Sequence, residues 1–126
     1  GRIRVYKNDT DGSLEFIGED SIDHTPKDET VRIKMGNAFD VVGERKRTNF
    51  IAEKRSFQES FEIKLRNHKD SDVVVNVQEH LYRWTSWKIT ESSQKWTKKN
   101  AQALEFEVPV KKDAEAVVTY TVKYSW

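Results

Sequence analysis

Four groups of side chains in this chain have types and spacings suited to chemistry or recognition. Glu59 and Glu79 share the apolar parity of two consecutive alternating segments: Phe57, Phe61, Ile63 and Leu65, then Val73, Val75, Val77 and Leu81. A hairpin across residues 67–71 would set Leu65 against Val73, Ile63 against Val75, Phe61 against Val77 and Glu59 against Glu79. Two ionised carboxylates about 5 Å apart on an inward face repel one another, and burial adds a desolvation cost. Such a pair requires an arginine or lysine between its members, an open end of the fold, or strands placed in different sheets. The open end is the first expectation and separate sheets the second. A close, cation-free pair would instead suit a carboxylate-based hydrolase.

Trp84 and Trp87 flank Thr85 and Ser86. Indole faces make platforms for sugar rings, with neighbouring hydroxyls to hold the sugar's own, so a glycan- or peptidoglycan-binding site is one reading. The plainer reading is that large amphipathic rings plug the ends of a sandwich. Two rings so close in a loop can hardly both reach one core, so at least one indole is expected to be solvent-accessible. The third group is weaker. His24, His68 and His80 are scattered without metal-ligand spacing. His24 has Asp20 and Asp23 nearby, but it precedes Thr25-Pro26 and suits an extended, turn-forming loop. In Asp9-Thr10-Asp11-Gly12, a calcium loop with Gly12 at its sixth position would put Lys7 first and Gly18 twelfth, where carboxylates are needed. A hairpin turn is the better account. Fourth, Arg45-Lys46-Arg47 with Phe50 could meet nucleic acid, but charge along a strand is how sheets blunt an exposed edge. No nucleophile elbow, phosphate-cradling glycine loop or His-Glu-x-x-His is present. No catalytic residue, metal or cofactor is therefore expected, and the chain reads as a non-enzyme.

The elements that must position these groups are strands. Apolar residues alternate with polar ones from Ile3 and Val5 onward. Pairing Val5 with Leu14 and Ile3 with Phe16 across the first turn would place four apolar side chains on one hairpin face. Val31, Ile33 and Met35 make the next strand, and residues 40–52 a long extended segment. Trp87 and Ile89 suggest a shorter strand before the polar stretch 91–100, and residues 94–104 are the only, poor, helical candidate. Leu104, Phe106, Val108 and Val110 match Val122, Tyr120, Val118 and Ala116 as a C-terminal hairpin. Pro109, unable to donate to a ladder, points to an edge or irregular position. Eight or nine short strands imply an all-β fold, an immunoglobulin-like two-sheet antiparallel β-sandwich, with a closed β-barrel as the alternative.

The 126 residues set one domain over 1–126 and allow a sizeable core. Lys and Arg number 22 against 21 Asp and Glu, so no strong positive field attracts nucleic acid. No apolar run is long enough for a membrane helix. The absence of cysteine removes disulfides and thiolate chemistry. With neither an initiating Met nor a signal peptide, the chain reads as an excised domain whose targeting sequence, if any, lies upstream.

Several segments in order carry a family resemblance: Arg2-Ile3-Arg4-Val5-Tyr6-Lys7, Gly18-Glu19-Asp20-Ser21-Ile22-Asp23-His24-Thr25-Pro26, Gly36-Asn37-Ala38-Phe39-Asp40-Val41-Val42, Leu65-Arg66-Asn67-His68-Lys69, Glu79-His80-Leu81 and Phe106-Glu107-Val108-Pro109-Val110. The chain resembles the C-terminal domain of mucoidy-inhibitor-A-like bacterial proteins. It departs from that pattern at Tyr82-Arg83-Trp84-Thr85-Ser86-Trp87, where a proline-containing turn is expected. The resemblance implies a β-sandwich that is the C-terminal fragment of a longer exported protein of the periplasm or cell envelope, following a β domain and coiled-coil helices. It implies no activity, cofactor or catalytic residue. The expected role is thus structural or in contact with a protein partner or other domains of the same chain. Glycan binding through Trp84 and Trp87 is the alternative, and a carboxylate-based hydrolase the third.

Overall fold

The structure is a computed structural model that describes residues 2–8, 13–21, 29–35, 38–81 and 86–126. Among these described residues ten strands follow in chain order: β1 (Arg2–Asn8), β2 (Leu14–Ser21), β3 (Glu29–Met35), β4 (Ala38–Ala52), β5 (Ser56–Asn67), β6 (Val73–His80), β7 (Ser86–Ser92), β8 (Trp96–Asn100), β9 (Ala103–Val110) and β10 (Glu115–Ser125). They form two antiparallel sheets, ordered β2-β1-β6-β9-β8 and β3-β4-β5-β10-β7. Each sheet ends in free edge strands, so the fold is an open β-sandwich and not a closed barrel.

Alternation explains the layering. Successive side chains of a strand point to opposite faces, so the odd-numbered Ile3, Val5, Val73, Val75 and Val77 of the first sheet share its inward face. Phe61, Ile63 and Leu65 of the second sheet meet them in one buried core. Leu104, Phe106, Val108, Tyr120 and Val122 are also buried, as their row predicts. Pro109 lies beyond Phe106, where the pairing of β8 with β9 ends, so β9 has a single neighbour there. The missing N–H is tolerated for that reason.

The partners of the rows differ from the sequence expectation. β9 and β10 do not pair as a hairpin: β9 lies between β6 and β8, and β10 between β5 and β7. Phe106 and Tyr120 instead meet across the interior, with ring centroids 5.5 Å apart. The connector turns tightly, with Asp113 in the left-handed region at φ 54° and the Ala114 N–H donating to the Lys111 carbonyl. Likewise β5 and β6 lie in different sheets, which removes the expected hairpin across residues 67–71 and its register. Asn67 accounts for that crossing. Its buried amide donates to the carbonyls of Ser71, Val110 and Lys111, and its oxygen accepts from the Lys69 N–H. One side chain thereby ties together two of the connectors that pass between the sheets, β5 to β6 and β9 to β10.

Three further differences have local causes. The β1–β2 hairpin forms, but Tyr6 faces Phe16 and Asn8 faces Leu14, with a bulge between Val5 and Tyr6. The expected pairs assumed too tight a turn, and an odd shift of register moves the β2 side chains to the other face. Leu14 and Phe16 are accordingly exposed, and Phe16 packs edge-on against Tyr6. Second, Arg45 does not lie on a solvated edge, because it pairs with Glu29 of β3 on one side and Ile63 of β5 on the other, whereas the exposed Lys46 lies past the end of the β3 ladder. Third, the polar stretch 91–100 contains the edge strand β8 in place of a helix. Asp9, Asp11, Gly12, Asp23, His24 and Trp84 lie outside the described residues.

Candidate functional site

Glu79 ends the inward row of β6, opposite Leu104, and Glu59 sits on the inward row of β5, opposite Phe50 and Val122. They are therefore not cross-strand partners. What they share is an arginine. Arg45 follows Val41 and Gly43 on the inward parity of β4, and its Nε donates to Glu79 Oε1 at 2.9 Å with both side chains 1% exposed. The Tyr120 hydroxyl donates to the same oxygen at 2.7 Å. The Arg45 guanidinium lies 4.1 Å from the centroid of the Phe61 ring. Because Arg45 and Tyr120 belong to one sheet and Glu79 to the other, the three groups bond the two layers together.

The electrostatics agree with that geometry. Burial opposes the charge on Arg45, but Glu79 and Tyr120 more than offset it, and the guanidinium holds its proton more tightly than usual. Burial, then the adjacent Glu79, push the Tyr120 phenol well above its ordinary range, so it stays a neutral donor. Burial raises Glu59, while the charges of Arg47 and Arg45 pull the other way. Arg47 lies 3.9 Å from Glu59. Of the expected ways to accommodate the acids, separate sheets is the one that occurs, with Arg45 paired to Glu79 and Arg47 beside Glu59; the open end expected first does not, because both acids are buried. Glu79 is sealed from solvent, with one oxygen engaged by two donors, so it is placed to hold the layers and not to touch a substrate.

The indoles lie elsewhere. Trp87 and Ile89 of β7 pair with Tyr124 and Val122 of β10, and Trp96 and Lys98 of β8 pair with Phe106 and Leu104 of β9. All four therefore share the inward parity of edge strands, one strand from each sheet. There they line an open cleft of about 590 Å³ with Ser86, Lys88 and Ala101. The Trp87 indole N–H donates to the Ala101 carbonyl at 2.8 Å, across the gap between the sheets. Trp96 packs against Trp87 at 5.9 Å and 58°. Trp87 is half-buried, with its N–H satisfied by backbone and one side open to the cleft. Its structural partner is Trp96, which the sequence reading left among polar residues. The signal was available: Trp96 and Lys98 continue the parity of Phe106 and Leu104 once β8 is recognised as a strand.

Other grooves are plainer. A shallow one of about 720 Å³ is lined by Thr48, Ser60, Thr90, Thr119 and Thr121, and within it the Ser60 and Thr121 hydroxyls bond each other at 2.8 Å. Among the described residues, no three His, Asp or Glu side chains come together to hold a metal ion. Among the described residues, no helix is long and apolar enough to cross a membrane. Set against known proteins, the chain matches no family model, no curated protein and no solved structure.

Proposed function

We propose that this chain is a non-catalytic β-sandwich module that acts by contact with a protein partner or with other domains of its own chain. The observation that carries this reading is an aromatic cluster at the end of the sandwich where β4 turns into β5. Phe50, Ile51 and Trp126 are exposed there, Trp126 at 60%. Phe57 stacks between them, 5.8 Å from both Phe50 and Trp126 and 4.7 Å from the buried Tyr124. The Arg47 guanidinium covers the Phe50 ring at 4.7 Å. Aromatic and arginine side chains dominate the energetically important centres of protein interfaces. The backbone beneath this cluster is also fixed in advance: the Trp126 main-chain N–H donates to the Arg55 carbonyl, and the Glu53 N–H to that of Ser56. Less backbone freedom remains to be lost on contact.

The family resemblance supports a place in the bacterial periplasm or cell envelope, where fractionation of the full-length protein tests it. The contact itself is tested by a photo-crosslinking residue at position 50 in the full-length protein. A discrete crosslink that disappears in the Trp126→Ala variant is expected. Equal crosslinking from position 50 and from a control position such as Thr97 would remove the proposal. A second reading, saccharide binding, is favoured by the Trp87–Trp96 cleft, because indole faces stack on the C–H faces of sugar rings.

A further inference from the structure

The cleft between the sheet edges carries a cation as well as indoles. Lys98 stands on the inward parity of β8, next in that row to Trp96, where the neighbouring strand presents Leu104 and Phe106. Its ammonium lies 5.7 Å from the centroid of the Trp87 ring. Among the described residues, neither Lys98 nor its neighbours Lys88, Lys95 and Lys99 has a carboxylate within 4 Å. Glu91 is the sole acid among residues 86–100 against these four lysines. An inward-pointing lysine also blunts an edge against other strands, but that role does not require an indole within about 6 Å of its ammonium.

We propose that this cleft binds an acidic oligosaccharide, a chain of hexuronate units, with one pyranose face stacked on one indole and its carboxylate meeting the Lys98 ammonium. The proposal deepens the saccharide reading and rests on it. A volume of about 590 Å³ is in the range of small-ligand sites, roughly 300–1,000 Å³. The hydrogen bond from Trp87 to Ala101 fixes one ring before any ligand arrives, which limits the entropy lost on binding. Charge selects the ligand: a neutral sugar uses the indoles and leaves the ammonium with water, whereas a hexuronate uses both. Single-stranded nucleic acid also offers flat rings and anions, but successive bases stack on one another nearly in parallel. Trp87 and Trp96 are inclined at 58°, a poor match for two stacked bases.

The test titrates the folded chain with tetragalacturonate, with the same tetrasaccharide after carboxyl reduction, and with oligothymidylate, followed by tryptophan fluorescence and calorimetry. Saturable binding of tetragalacturonate that weakens with added salt is expected, together with weaker binding of the reduced form. Lys98→Gln should weaken the acidic ligand about tenfold, the scale of one charge-assisted contact, and leave the reduced ligand unchanged. Trp96→Phe should weaken both, and thermal melting shows whether each variant remains folded. Equal affinity for the acidic and reduced sugars, or an unchanged Lys98→Gln variant, overturns the acidic assignment while saccharide binding stands. Absence of binding by either sugar overturns both readings, as does tighter binding of oligothymidylate that depends on Trp96.

Discussion

Replacing Arg45 with Met removes the charge that Glu79 faces while keeping most of the buried volume. With the ions about 3–4 Å apart and an effective dielectric near 20, the attraction lost is about 4–6 kcal/mol. Part of that is offset, because the desolvation cost of burying the guanidinium disappears too. Breaking a buried pair by removing one partner costs about 3–5 kcal/mol net, and the two-donor geometry at Glu79 Oε1 leaves only Tyr120 to compensate. A domain this small has about 5–15 kcal/mol of total stability, so the variant should be folded but marginal. Urea unfolding of Arg45→Met should show this deficit against the parent. A triple change, Arg45→Met with Glu79→Leu and Tyr120→Phe, removes every member of the network and should recover most of the loss. A deficit under about 1 kcal/mol would refute the reasoning, since it would mean the pair is solvated.

Phe106→Ala, which empties the centre of the inter-sheet stack with Tyr120, should cost about 3–5 kcal/mol in urea unfolding. Glu59→Gln works in the opposite sense. Burial raises Glu59 above its ordinary value of 4.5, so its ionisation costs stability as pH rises through that value. The variant should match the parent near pH 3 and exceed it at pH 7, and melting curves at both pH values check this. Asp113 occupies the left-handed region, so Asp113→Gly should be neutral or slightly stabilising, while Asp113→Val should lose about 1–2 kcal/mol.

Parity was legible in the sequence and pairing was not, for a physical reason. In a sandwich the inward rows of facing sheets are apolar with the same period, so the rows of β9 and β10 look alike whether they are neighbours in one ladder or meet across the core. Phe106 and Tyr120 are buried in either case. The choice is made in the connectors. Asn67 satisfies carbonyls of two crossings at once, and a lone asparagine in a polar loop gives no sign in sequence of which distant carbonyls it will meet. The displaced register of β2 has a similar origin, since it is set by the number of residues left between Asn8 and Leu14, with a bulge between Val5 and Tyr6 beyond it, and period-two counting contains neither.

The buried acids show where parity did reach the chemistry. Placing Glu59 and Glu79 on inward rows predicts that something must neutralise them, and Arg45 does so for Glu79. Arg45 itself went unread because it stands in a charged run, Glu44-Arg45-Lys46-Arg47, whose composition suggests a solvated surface. Its parity with Val41 and Gly43 says the opposite. On a strand between two neighbours, parity prevails over composition, because a side chain cannot leave the inward face without breaking the ladder on both sides. The cost of burying Arg45 is offset by the acid in the other layer, by the tyrosine on β10 and by the Phe61 ring it lies over. That requirement has a structural consequence. Rows of valine, isoleucine and leucine can pack at more than one relative offset, whereas the bonds from Arg45 and Tyr120 to a single oxygen of Glu79 close at one offset alone. The network that resembled a hydrolase pair in sequence thus fixes how the two sheets lie on each other, and through that sets the gap where the free edges leave Trp87, Trp96 and Lys98 facing one cleft.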